Sequence, residues 1–163
     1  MNSDLLVIGY GNTLRSDDGV GPKVVEAVAS LGLPGVGTLI CQQLSPEHSE
    51  MVSQAGTVIF VDAAVDVPGE IQFRKLSPNN STQLMAHAAD PRTMLAFARD
   101  VYGYLPEAWW LTIRAEEFGF GETLSPRTQA GFSEALRLIK SLAERCCSVE
   151  DKKWEGLMTA HEA

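Results

Sequence analysis

The sequence predicts an α/β fold: a three-layer sandwich in which a mostly parallel, twisted five-stranded sheet lies between helices on both faces. Short apolar runs of strand length alternate with segments of helical period. The first and third runs are continuously apolar, as strands covered on both faces require. The 163 residues contain no repeat, linker or low-complexity stretch and suit a single packed core. Residues 1–147 read as that one domain, and 148–163 as a polar tail.

The first strand is "LLVIGY" (5–10). After a glycine-rich turn, Val20, Val24, Val25, Val28 and Leu31 recur at helical spacing, and Pro22 is tolerated in the first turn. "LGLPG" ends that helix and "GTLIC" (37–41) is the second strand. "SPEHSEMVSQAG" predicts a helix with Ser45 as N-cap, Pro46 at the first position and Gly56 at the stop. "TVIFVDAA" (57–64) is the third strand, with Asp62 at its carboxyl end, and "DVPGEIQFRKL" predicts a turn and an alternating edge strand over 70–76. A polar loop, 77–89, leads to Asp90 and Pro91, which open a helix through Tyr102 carrying Met94, Leu95, Ala98 and Val101 on one face. "AWWLTIRAEEF" (108–118) is the fifth strand, followed by the glycine-rich "GFGETLS". Ser125 and Pro126 start the last helix, which runs to Cys147 with Phe132, Leu136, Ile139 and Leu142 inward. In the tail, Trp154, Leu157 and Met158 have the spacing of one docked helical turn.

Hydrophobic residues make up 45 % of the chain and charged residues 21 %, an ordinary soluble composition. The formal charge of −8 argues against nucleic acid or an anionic membrane as partner, because both demand a basic surface. A metal cation or a basic protein surface suits it better. The opening "MNSDLLVIGYGN" has no basic region or cleavage signature, and no segment has the roughly 20 apolar residues of a membrane span. Cys41, Cys146 and Cys147 form neither a disulfide framework nor a zinc-finger spacing, so they read as idle thiols in a reducing compartment. The expected location is the cytoplasm and the expected state a monomer.

The chemistry centres on "GYGNTLRSDDGVG" (9–21). Gly9 and Gly11 match the start of a dinucleotide fingerprint, but Leu14 occupies the place of its third glycine. The loop is too long, and its tip carries Asp17 and Asp18, which would repel a pyrophosphate. A carboxylate at a helix start can simply cap it. Ser16, Asp17 and Asp18 together offer more capping groups than one helix uses, so capping and ligand binding both stand for this segment. Open parallel sheets bind ligands outside the carboxyl ends of their strands, which brings Asp18 toward Asp62. His87 precedes the next helix and is near enough in sequence to fold over the same edge, although a lone loop histidine is commonly just exposed. Two hard carboxylates and an imidazole would make an open three-ligand site for a borderline divalent metal. His48, on an exposed helix face, and His161, in the tail, lack such a setting. There is no G-x-S-x-G or H-E-x-x-H, and no cysteine sits in a recognisable active-site context, so a serine or cysteine mechanism has no support.

The pattern "GYGNTLRSDDGVG", the "VDA" at 61–63 and a histidine before a helix resemble the [NiFe]-hydrogenase maturation endopeptidases over residues 5–145. The resemblance implies an enzyme that removes a carboxyl-terminal extension from a hydrogenase large-subunit precursor after nickel insertion. It implies that Asp18, Asp62 and His87 bind nickel supplied by that substrate, with other divalent ions able to substitute. These three are the candidate catalytic and metal-binding residues, and Asp17 is a candidate supporting residue or helix cap. Gly9, Gly11, Gly19 and Gly21 would let an extended substrate approach closely. "QQLSPE" (42–47) is most similar to members serving bidirectional, NAD-linked hydrogenases. The alternatives are a nickel-binding accessory protein that cuts nothing and a nucleotide-binding module.

Overall fold

The computed structural model describes residues 3–79 and 89–147. The strands are β1 (Leu5–Tyr10), β2 (Val36–Cys41), β3 (Thr57–Ala64), β4 (Ile71–Lys75) and β5 (Glu107–Arg114). The helices are α1 (Val20–Ser30), α2 (Ser49–Ser53), α3 (Pro91–Tyr102) and α4 (Pro126–Cys147), with short 3-10 turns at Ser16–Gly19 and Pro46–His48.

The sheet order is β2-β1-β3-β5-β4. β1 runs parallel to β2 and β3, with Leu5 opposite both Val36 and Thr57, and β3 runs parallel to β5. β4 is the antiparallel edge, with Phe73 opposite Leu111, as its alternating sequence predicts. Every residue of β1 is buried, which is why its sequence is apolar without alternation. On one face, Val20, Val24, Val25 and Val28 of α1 and Ala135, Ile139 and Leu142 of α4 pack on Leu5, Val7, Ile59 and Val61. Phe73 and Trp109 stack in this layer with ring centroids 4.8 Å apart. On the other face, Val52 of α2 and Met94, Leu95 and Ala98 of α3 cover Leu6, Ile8, Val58 and Phe60. The three-layer α/β architecture is therefore the one the sequence predicts.

α3 shows the end signals read from the sequence. Asp90 accepts the Arg92 N–H at 2.9 Å, Pro91 needs no donor partner in the first turn, and Gly103 closes the helix at φ 75°. Elsewhere the boundaries shift. Leu31 is 44 % exposed and Val101 62 %: Leu31 falls just past the end of α1, and Val101 lies in the last turn of α3. The predicted helix at 45–56 is shorter and begins as a 3-10 turn, where the Ser45 N–H donates to His48 Nδ1 at 3.1 Å. That contact leaves His48 partly buried rather than on an exposed face. β5 stops at Arg114 instead of continuing to Phe118, because the amides of Glu116 and Glu117 are taken by the Asp17 carboxylate. Cys41 is a free thiol. Most of the loop at 77–89 and the expected helical turn at Trp154, Leu157 and Met158 lie outside the described residues. Among the described residues no helix is long and apolar enough to cross a membrane.

Candidate active site at the carboxyl edge of the sheet

The chain leaves β1 for β2 on one side, then returns past β1 to form β3 on the other. At such a switch point the loops leaving the two central strands diverge and open a crevice at their carboxyl ends. Asp18 lies in the loop after β1, and Asp62 lies near the end of β3. The topology thus brings both sequence-predicted acids to one edge.

The glycines of the motif set the height of α1 over that edge. A Cβ on Gly21 would stand 2.5 Å from the Val61 carbonyl oxygen and 2.9 Å from that of Tyr10. Only a glycine lets the helix start sit this low on β1 and β3. Gly21 thereby does, at a longer spacing, what the third glycine does in a dinucleotide fingerprint. Gly11 holds φ 146°, and a Cβ there would collide with the Asp18 carbonyl. Gly11 thus serves the sharp turn of the loop and Gly21 the close packing of the helix on the sheet.

None of the three polar residues before α1 caps it. Ser16 takes φ 50°, and its hydroxyl donates to the Gly119 carbonyl at 2.8 Å. Asp17 is fully buried. It accepts the N–H groups of Glu116 (2.9 Å), Glu117 (2.8 Å) and Ser125 (2.7 Å), together with the Ser125 hydroxyl (2.7 Å). Burial alone would raise its pKa, but these four donors outweigh it and hold the carboxyl at about 2. Asp17, ionised at neutral pH, ties the motif loop to the start of α4. Asp18 has a lighter commitment: among the described residues only its Oδ2 is engaged, by the Asn12 N–H at 2.8 Å.

Asp62 stands opposite Thr112 and helps line a cavity of about 390 Å³ with Gln72, Arg74, Trp110 and Phe118. The Arg74 guanidinium lies over the Trp110 ring, 5.4 Å from its centroid. The Asp62 carboxyl is raised to about 7: burial pushes it up most, the Tyr10 hydroxyl and the Ala63 N–H pull it down, and the charge of Asp18 adds to the rise. The charge of Asp18 is thus felt at Asp62 across the edge. Tyr10 and Trp110, which sequence reading treats as strand residues only, belong to this cluster. Neither the Tyr10 hydroxyl nor the Trp110 indole nitrogen reaches a hydrogen-bond partner of ordinary geometry among the described residues, although both are buried. Burial first and the Asp62 charge second hold the Tyr10 phenol above its usual range.

His87, the third predicted ligand, lies outside the described residues. Among the described residues no group of three His, Cys, Asp or Glu side chains is assembled for a metal, so Asp18 and Asp62 are the part of the trio the geometry describes.

No protein-family model and no curated protein sequence matches the chain. Solved structures do. A [NiFe] hydrogenase maturation protease HycI from Thermococcus kodakarensis aligns with a TM-score of 0.67 and 21 % identity, over 90 % of this chain and 94 % of its own. The hydrogenase maturating endopeptidase HybD from E. coli aligns at 0.66 and 21 %, over 89 % and 94 %. HybD from Thermococcus kodakarensis aligns at 0.63 and 24 %, over 88 % and 99 %. The fold is that of the hydrogenase maturation endopeptidases. In the maturation-endopeptidase fold of this chain, Asp18 and Asp62 occupy the crevice edge, while Asp17 belongs to the scaffold.

Proposed function

We propose that the protein is an endopeptidase that removes the carboxyl-terminal extension of a [NiFe]-hydrogenase large-subunit precursor once nickel has been inserted. The observation that carries this reading is the pairing of Asp18 with Asp62 at the switch point of a fold shared with such enzymes over nearly the whole chain. In this reading Asp18, Asp62 and His87 engage the nickel that the substrate already holds. The ion supplies Lewis-acid polarisation of the scissile carbonyl or of a water beside it. The protein supplies two hard oxygen donors and a half-buried setting that leaves Asp62 near its midpoint at neutral pH, so that ligation by a cation displaces its proton. Recognition is then a difference in affinity between loaded and empty precursor, set by one added coordination contact. The substrate serving a bidirectional, NAD-linked hydrogenase and a monomeric enzyme acting in the cytoplasm complete the proposal.

The test is a processing assay with nickel-loaded and nickel-free precursor, using wild type, Asp18→Ala and Asp62→Ala. The expected result is cleavage of loaded precursor by wild type only, with both variants folded by circular dichroism. Cleavage of the nickel-free precursor, or normal cleavage by both variants, defeats the nickel-centred reading. Tight nickel binding without any cleavage would instead assign a carrier.

A further inference from the structure

Residues 115–125, between β5 and α4, are fixed to the motif loop along their length. Besides the four hydrogen bonds to Asp17, the Ser16 N–H donates to the Gly121 carbonyl and the Gly121 N–H to that of Leu14, both at 2.8 Å. The Asp17 N–H donates to the Glu117 carbonyl at 2.9 Å, the Ser16 hydroxyl holds Gly119, and Lys23 Nζ donates to the carbonyl of Glu122. Arg15 and Gly121 pair as a one-residue parallel bridge. At the tip of this fastened loop, Phe120 is 92 % exposed.

A floppy loop could fold its aromatic ring back onto the protein. Here the backbone on either side of Phe120 is held by the motif loop, which fixes where the ring leaves the chain. Leu14, whose carbonyl receives the Gly121 amide, is itself 47 % exposed. Phe118, two residues before Phe120, lines the cavity that contains Asp62. An apolar, preorganised projection therefore stands on the rim of the same edge that carries Asp18 and Asp62.

We infer that Phe120, with Leu14 at its base, is a docking knob for the folded body of the protein substrate, entering an apolar socket beside the point where the extension emerges. The inference rests on the proteolytic reading above and adds a binding element away from the scissile bond. The occupant follows from the fastening: a knob rigid with respect to Asp18 and Asp62 fixes the register of whatever it grips relative to those carboxylates. A folded precursor needs such registration, and a free ion or small molecule does not. Aromatic anchors that are already ordered contribute most to interfaces, because no loop entropy is lost on binding.

The experiment compares wild type, Phe120→Ala and Phe120→Trp on nickel-loaded precursor, measuring KM, kcat and equilibrium binding. Because the ring is in water, Phe120→Ala should keep the wild-type melting temperature. The expected result is a rise in KM and Kd of tenfold or more for Phe120→Ala, about 1.4 kcal/mol, with kcat within twofold and near-complete rescue by Phe120→Trp. Unchanged KM and Kd alongside normal wild-type processing overturns the docking role alone. A fall in kcat at unchanged KM overturns it too, as does Phe120-dependent self-association with intact precursor binding. A wild type that neither binds nor cuts the precursor overturns the proteolytic reading and this inference with it.

Discussion

Asp62 is a carboxyl group whose surroundings resist its charge. Its folded value of about 7 lies above the ordinary 3.8, so between those values the folded protein holds a proton that the unfolded chain has lost. The sign follows: this group's penalty is absent below about pH 4, grows as pH rises toward 7, and is complete above it. Asp62→Asn should remove that slope and melt above wild type at pH 8 while the two converge near pH 4. Parallel melting curves across that range would show that Asp62 is not strained in the folded state. A stabilising substitution that abolishes processing is the expected signature of a group kept for chemistry. Position 62 was legible in the sequence because an acid after "VIFV" has no packing reason to be there. Tyr10 and Trp110 were not, since aromatic residues ending apolar strands look the same whether they fill a core or face a site.

Among the elements, the fastening between the motif loop and the β5–α4 segment depends most on a single side chain. Asp17→Ala would remove the charged acceptor of three backbone N–H groups, a loss of about 3–5 kcal/mol at roughly 1.5–3 kcal/mol per hydrogen bond to a charged group with partial relief by water. Urea unfolding at pH 7 measures it, and a loss under 1 kcal/mol would mean that the loop finds other partners. Since the folded pKa of about 2 lies below the unfolded value, this contribution is present above about pH 4 and fades as pH falls toward 2. The sequence shows the crowding of Ser16, Asp17 and Asp18 but not its resolution. Each side chain finds partners elsewhere than at α1, and those of Asp17 lie about a hundred residues on, beyond any local pattern. The overlong fifth strand has the same cause. By contrast, the strand and helix identities were legible because burial on both faces imposes a continuous apolar run and a capped helix carries its own end signals.

At the scale of the molecule, the candidate metal site is incomplete without its partner. Two carboxylates and one proposed imidazole, with no thiolate, are a weak set for a borderline ion. Nickel titration of the isolated protein should therefore show weak binding that gel filtration in chelator removes. A stoichiometric ion surviving that treatment would point to a resident metal instead. The fold and the edge that bears the acids were readable because the order of strands follows from a few connection rules, whereas the third ligand rests on position alone. The reach of Asp17 also has a consequence for how the chain is made. Its partners at Glu116, Glu117 and Ser125 are separated from it by 99, 100 and 108 positions. On a ribosome, the amino-terminal motif emerges early but remains unlocked until the final third of the polypeptide has followed. The loop that carries Asp18 therefore takes its fastened shape only after residues through Ser125 have been made, whatever chemistry it serves.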